Sequence, residues 1–222
     1  LEIGVSETDS FIEEVTEEVR RDRLFALMRK YGWIGILLVV LIVGGAAYSE
    51  WQKAHARASA EAFGDAVMAA MAEDDPAARI AALNAVSADS GSRKAVLEML
   101  AASEAVTNDD REGALAKLNA VIADTTVPDS LRQLAELKSV ILAGDAMAPD
   151  ERGKLLDALA APGAPFRPLA MEQQALSLIG AGDSDGAVAL LRQILEEPDV
   201  TAGLRRRTTQ LIVALGADPD TA

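Results

Sequence analysis

Cysteine is missing from the 222 residues, so disulfides, thiolate nucleophiles and thiolate metal sites are excluded. Histidine occurs once, at His55, which leaves one candidate base for any Ser-His-Asp chemistry. Aromatic residues make up 4% of the chain, and β-branched runs are scarce outside one segment. Positive charge is in deficit: 21 Lys and Arg against 35 Asp and Glu leave a formal charge of −14, the wrong sign for a phosphate backbone, so no nucleic-acid partner is expected. No GxxxxGK[ST] or GxGxxG phosphate loop occurs. What the chain does have is alanine and leucine, which lose little side-chain entropy in a helix. An all-α fold is the expectation.

One stretch has no charge at all: Tyr31 to Ser49, "YGWIGILLVVLIVGGAAYS". As a helix its nineteen residues reach about 28 Å, close to the hydrocarbon thickness of a bilayer. The nine Ile, Leu and Val residues between Ile34 and Val43 each favour insertion by about 0.3–0.6 kcal/mol, which outweighs the glycines. Both tyrosines and both tryptophans bracket it, Tyr31 and Trp33 at one end and Tyr48 and Trp51 at the other, as interfacial anchors should. Arg20, Arg21, Arg23, Arg29 and Lys30 precede it; Lys53 and Arg57 follow. The positive-inside rule then puts the N-terminus in the cytoplasm and everything beyond Trp51 outside. A cleaved signal peptide with Gly45-Ala46-Ala47 as its cleavage site is the rival, but its n-region would be about 30 residues long and acidic. An uncleaved anchor is expected.

Residues 1–30 read as a cytoplasmic tail, largely helical. Ser10 followed by Glu13 has capping-box spacing, acidic residues lead and basic ones close, and Phe11, Ile12, Val15 and Val19 form a narrow apolar stripe. The tail reads as a solubilising stem, with a docking helix as the alternative.

Residues 50–222 repeat themselves. "LNAVSAD" begins at Leu83 and "LNAVIAD" at Leu118, 35 positions later. Setting Gly113 on Gly186 aligns Asp110 with Asp183, Ala114 with Ala187, Leu118 with Leu191, Val127 with Val200, and Leu131-Arg132 with Leu204-Arg205, without a gap. Apolar residues inside each unit keep helical spacing, and Pro, Gly and Asp-rich breakers separate them. Helices are predicted near 50–72, 76–87, 91–106, 111–123, 129–143, 150–160, 167–181, 184–196 and 202–215. A single hairpin of this size cannot bury its apolar face, so it stacks on the next. Leu83, Val86, Ala114, Leu118, Val121, Ala187, Leu191 and Ile194 are the expected packing residues, with the heptapeptide in the second helix of each hairpin. The period resembles that of tetratricopeptide repeats, without the Trp and Tyr positions of their first helix. The expected architecture is a tetratricopeptide-like solenoid of about four hairpins plus a closing helix.

The whole plan, a charged tail, one anchor and a repeat domain, is similar to the ancillary Sec-translocon subunit family of Gram-negative bacteria, the YfgM type, in its Ala-rich alphaproteobacterial-like form. The stretches that carry the resemblance are "EEVRRDRLFALMRKYGW", Glu50-Trp51, "PFRPLAMEQQAL" and "GDSDGAVALLRQILEEPDV". It implies a single-pass protein of the bacterial inner membrane with its repeats in the periplasm, partnered by the translocon and by a membrane-anchored prolyl-isomerase-like chaperone. It carries over no catalytic, cofactor-binding or metal-binding residue.

The residues themselves suggest no chemistry either. His55 lies in the stem beside the membrane and reads as solvated. Asp74-Asp75, Asp109-Asp110, Asp183 and Asp185 sit in turns ahead of helices, where aspartate caps free N–H groups, and none has the EF-hand spacing. Arg205-Arg206-Arg207 reads as a solvated face or a contact to an acidic partner or the Glu196-Glu197 turn; Phe166 and Arg167, between two prolines, read as a packed corner. A non-enzymatic scaffold linking the translocon to chaperones is the leading expectation, binding through the concave face of the stack. An accessory subunit of another inner-membrane assembly, such as a respiratory complex, is the alternative.

Overall fold

The computed structural model describes residues 6–198 and 200–219, with side chains at Phe25 and from Met28 onward. Among the described residues every regular element is helical. They are α1 (Ser6–Met71), α2 (Pro76–Ala85), α3 (Gly91–Thr107), α4 (Arg111–Ala123), α5 (Asp129–Ala143), α6 (Pro149–Leu159), α7 (Arg167–Gly180), α8 (Ser184–Glu196) and α9 (Ala202–Ala214), with a short 3-10 turn at Gly144–Ala146 after α5.

The first finding differs from the sequence reading. Tail, anchor and stem are one helix, because no proline interrupts residues 6–71 and isolated glycines only weaken a helix. Ser10 therefore lies inside α1 and cannot be its N-cap, a position that needs non-helical backbone. The side chains of Arg20, Arg21 and Arg23 and of the Phe11–Val19 stripe fall outside the described residues. Met28–Met71 includes a window of mean hydropathy 2.0 with none of it buried, which makes α1 a candidate membrane span by length and composition.

The chain divides into two compact units, one ending at Ala62 and the other beginning at Phe63. In the second, five helices begin where a side chain caps them. Asp75, Ser90, Asp110, Asp183 and Thr201 accept the backbone N–H of Ala78, Arg93, Gly113, Gly186 and Leu204. Pro76 and Pro149 occupy first-turn positions that need no N–H donor.

Two turns have the same construction. At the end of α3 the N–H of Asp110 bonds Ala105 O (2.8 Å) and that of Asp109 bonds Val106 O (3.1 Å). At the end of α7 the N–H of Asp183 bonds Leu178 O (2.9 Å) and that of Gly182 bonds Ile179 O (3.0 Å). Both are Schellman motifs whose last residue, Asp110 or Asp183, caps the following helix. This sets the phase: α3–α4 and α7–α8 are hairpins, the second heptapeptide copy runs along the end of α4, and the first begins in α2 and runs past its end at Ala85.

Burial is divided among four small cores. The end of α1 shares one with α2 and α3 around Leu83 and Leu97; α3, α4 and α5 share one around Leu118 and Val121. A third gathers Leu137, Leu156 and Leu159 from α5 and α6, with Phe166 against it, and a fourth joins α7, α8 and α9 at Leu191, Ile194 and Ile212. From α2 to α9 the closest packing is between sequence neighbours, and α3 also approaches α5.

Candidate interaction surface

The large exposed hydrophobic side chains of the second unit are not scattered. Val106 (46% exposed) is on α3, Ile141 (51%) on α5, Leu176 (38%) on α7 and Val213 (58%) on α9. Val96 and Met68, on α3 and α1, complete the set among the described residues beyond Ala62. Helices α2, α4, α6 and α8 contribute none. The first helix of each pair thus keeps apolar surface in water, whereas the second turns its apolar side chains inward.

Val106, Ile141 and Leu176 follow one another at 35-residue steps, the period of the heptapeptide. The sequence reading missed them, since it followed the period along the buried helices only. Extending the same step to the intervening helices would have found them.

Val106 and Ile141 line one open groove of about 460 Å³. Met99, Ala102 and Ser103 of α3 form one wall, at the i, i+3, i+4 spacing that puts them on a common face with Val106. Lys138 and Leu142 of α5 form the other with Ile141, and Arg111 and Leu118 come from α4. Arg111 and Lys138 are its charged residues; both are exposed, and neither makes an ion pair with a described side chain. Leu176 lines a second groove of about 790 Å³, where Arg152 is offset by Asp145 and Asp157.

Ion pairs brace the stack behind this surface. Arg79 Nε donates to Glu104 Oε2 at 2.5 Å, while its Nη1 reaches the carbonyls of Glu73 (2.8 Å) and Asp74 (3.1 Å), tying the α1–α2 turn to α3. Lys117 bridges Asn84 Oδ1 (2.7 Å) and Glu98 Oε2 (3.0 Å), so the Asn of the first heptapeptide is held by the helix that carries the second. Lys94 Nζ donates to Asp124 Oδ2 at 2.8 Å, and the Thr126 hydroxyl and N–H donate to Asp124 Oδ1. The Lys94 bond, then the Thr126 bonds, hold the Asp124 carboxyl well below the usual carboxylate range, and the Asp124 bond raises Lys94 in turn.

Arg207 corrects one expectation. It does not meet the Glu196-Glu197 turn: Nε and Nη2 donate to both oxygens of buried Glu172 on α7 (2.8 and 2.9 Å), a fork that raises the guanidinium pKa further. Glu197 instead pairs with Arg167 at 3.0 Å, whose Nη1 also donates to Ala160 O; Arg167 thus closes the α6–α7 corner beside Phe166.

Leu83, Ala114, Leu118, Val121, Ala187, Leu191 and Ile194 are each 2% exposed or less. Val86 is an exception, half-buried at the C-cap because α2 ends at Ala85. Tyr31, Trp33, Tyr48 and Trp51 are exposed around the apolar window, with Arg29 and Lys30 exposed before it and Lys30 Nζ 5.5 Å from the Tyr31 ring centroid. His55 stacks on Trp51 with ring centroids 5.9 Å apart.

Residues 29–189, from the flank of the apolar window into α8, match the tetratricopeptide repeat-like domain. The chain belongs to that family. Neither the curated proteins nor the solved structures yield a significant match. Tetratricopeptide repeat-like domains are typically protein-binding scaffolds without catalysis, and the exposed apolar series on α3, α5, α7 and α9 is the kind of surface that such a domain presents to a protein partner.

Proposed function

We propose that this chain is a non-catalytic, membrane-anchored periplasmic scaffold that links the Sec translocon to periplasmic chaperones, among them a membrane-anchored prolyl-isomerase-like protein. The observation that carries the scaffold part is the placement of exposed apolar side chains on the first helices of successive hairpins. Residues excluded from their own core at regular intervals, beside an open groove, are available to another polypeptide.

Three features support the anchoring part. The apolar window of α1 is wholly exposed within the chain, four interfacial aromatic residues bracket it, and the basic flank lies on its N-terminal side. The translocon itself is proposed from the likeness of the overall plan to the ancillary Sec-translocon subunit family. In this reading residues 1–30 are a cytoplasmic stem, 31–49 the span of the inner membrane, and 50–222 the periplasmic part.

The test is affinity purification of the full chain in mild detergent, followed by mass spectrometry. Recovery of translocon subunits together with a membrane-anchored isomerase supports the reading. Stoichiometric recovery of another inner-membrane assembly, such as a respiratory complex, overturns it and makes the chain an accessory subunit.

A further inference from the structure

We infer that the groove between α3 and α5 docks an acidic amphipathic segment of a protein partner. Its apolar side chains would lie on Met99, Val106 and Ile141, with its carboxylates on Arg111 and Lys138. This rests on the scaffold reading above and adds the chemistry of what is bound.

The charge pattern selects the occupant. In a chain of net charge −14, the two charged side chains lining this groove are both cations. Seven basic residues elsewhere in the repeats, Arg79, Arg93, Lys94, Lys117, Arg132, Arg167 and Arg207, have acidic partners in their own chain. Arg111 and Lys138 have none among the described residues, and the neighbouring groove carries both signs. Two free cations beside exposed valine and isoleucine are complementary to carboxylates beside apolar side chains.

Spacing narrows it further. Lys138, Ile141 and Leu142 stand at i, i+3 and i+4, so the cation and the apolar pair are one helical turn apart on one face, about 5 Å along the axis. Arg111 supplies a planar fork suited to a bidentate carboxylate, and Lys138 a point charge. The matching ligand alternates Asp or Glu with Leu-like residues within a turn of each other. The acidic surface as a whole repels such a ligand. At about 0.15 M salt, however, charges beyond about 8 Å are screened, and the two local cations decide the sign.

The test is selection of a displayed library of random 12-residue peptides against the full chain in detergent, with sequencing of the survivors. Three chains are compared: the parent, Ile141→Asp, and Arg111→Glu with Lys138→Glu. All three positions are exposed, and equal melting temperatures establish that the variants fold. The expected result is enrichment of acidic-apolar peptides on the parent. A synthetic copy of the best one should bind Ile141→Asp about tenfold more weakly or worse. The charge-reversed variant should select basic-apolar peptides instead. Basic or proline-rich peptides on the parent, selection that ignores the three substitutions, or no selection at all overturns the inference. Self-association that Ile141→Asp abolishes overturns it in favour of a second copy of the chain. If purification recovers a partner while the groove selects nothing, the scaffold reading stands and only the groove assignment falls.

Discussion

Asp109 holds a φ of +57° in the α3–α4 turn, at the place that Gly182 holds with a φ of +82° in the α7–α8 turn. Two copies of one turn thus meet the same left-handed requirement with different residues. A side chain there costs about 1 kcal/mol, less for aspartate than for most, and glycine costs nothing. Asp109→Gly should therefore stabilise the chain by about 0.5 kcal/mol once glycine's extra entropy in the unfolded state is counted. Gly182→Ala should destabilise it by about 1 kcal/mol. Thermal melts of the purified chain check both; equal shifts in one direction would contradict the shared turn.

Gly113 and Gly186 lie in the first turn of α4 and α8, where alanine is ordinarily the better residue. A Cβ on Gly113 would come within 2.1 Å of the Asp110 carboxylate, and one on Gly186 within 2.3 Å of Asp183. Gly113→Ala should thus gain nothing in the parent, because the disturbed cap, worth about 1 kcal/mol, offsets the helical gain. In an Asp110→Ala background the same change should stabilise by about 0.5–1 kcal/mol. The measurement is a double-mutant cycle; strict additivity would break the link.

Thr208 of α9 is fully buried, and its hydroxyl oxygen has no hydrogen-bond partner. Valine has the same shape without the polar atom. Thr208→Val should raise stability by about 1 kcal/mol, since an unpaired buried hydroxyl is a net cost. A lowered melting temperature would show that the hydroxyl is paired in solution.

Asp124 gives the repeats a defined response to acid. Its carboxyl titrates lower in the folded chain than in the unfolded one, so the unfolded state binds more protons as the pH falls. The Lys94 bridge stabilises above the ordinary aspartate pKa of about 3.9 and is lost as the pH drops through the folded value. Asp124→Asn should melt below the parent at pH 7, and the gap should begin to narrow below about pH 4 and go on narrowing with further acid. A gap that stays constant from neutral to acid pH would remove Asp124 from the acid response.

Helix boundaries in the repeats were legible to within two residues, because proline, glycine and capping aspartate mark them with local chemistry. Leu83, Ala114, Leu118, Val121, Ala187, Leu191 and Ile194 are buried and Val86 half-buried; a repeated sequence points to such positions because each copy packs in the same way. The continuity of α1 was not, since composition changes along it without any residue that breaks a helix. The pairs Arg79–Glu104 and Arg207–Glu172 were also out of reach: the partners stand 25 and 35 residues apart, and their meeting depends on how neighbouring helices stack. For the same reason the sequence reading gave Arg205-Arg206-Arg207 a solvated face, with an acidic partner or the Glu196-Glu197 turn as alternatives, and not Glu172. The groove cations were overlooked because the sequence does not show which cations the fold leaves without an acidic partner.

Four small cores in place of one large one change what a lesion can do. Each of α3, α5 and α7 contributes buried residues to two of them, so damage at Leu83 reaches α3 and damage at Ile212 reaches α7. The chain behaves more like a row of bricks than a keystone arch. It can fray at one place and hold at another, and a hairpin's worth of sequence could be added or removed without redrawing the rest.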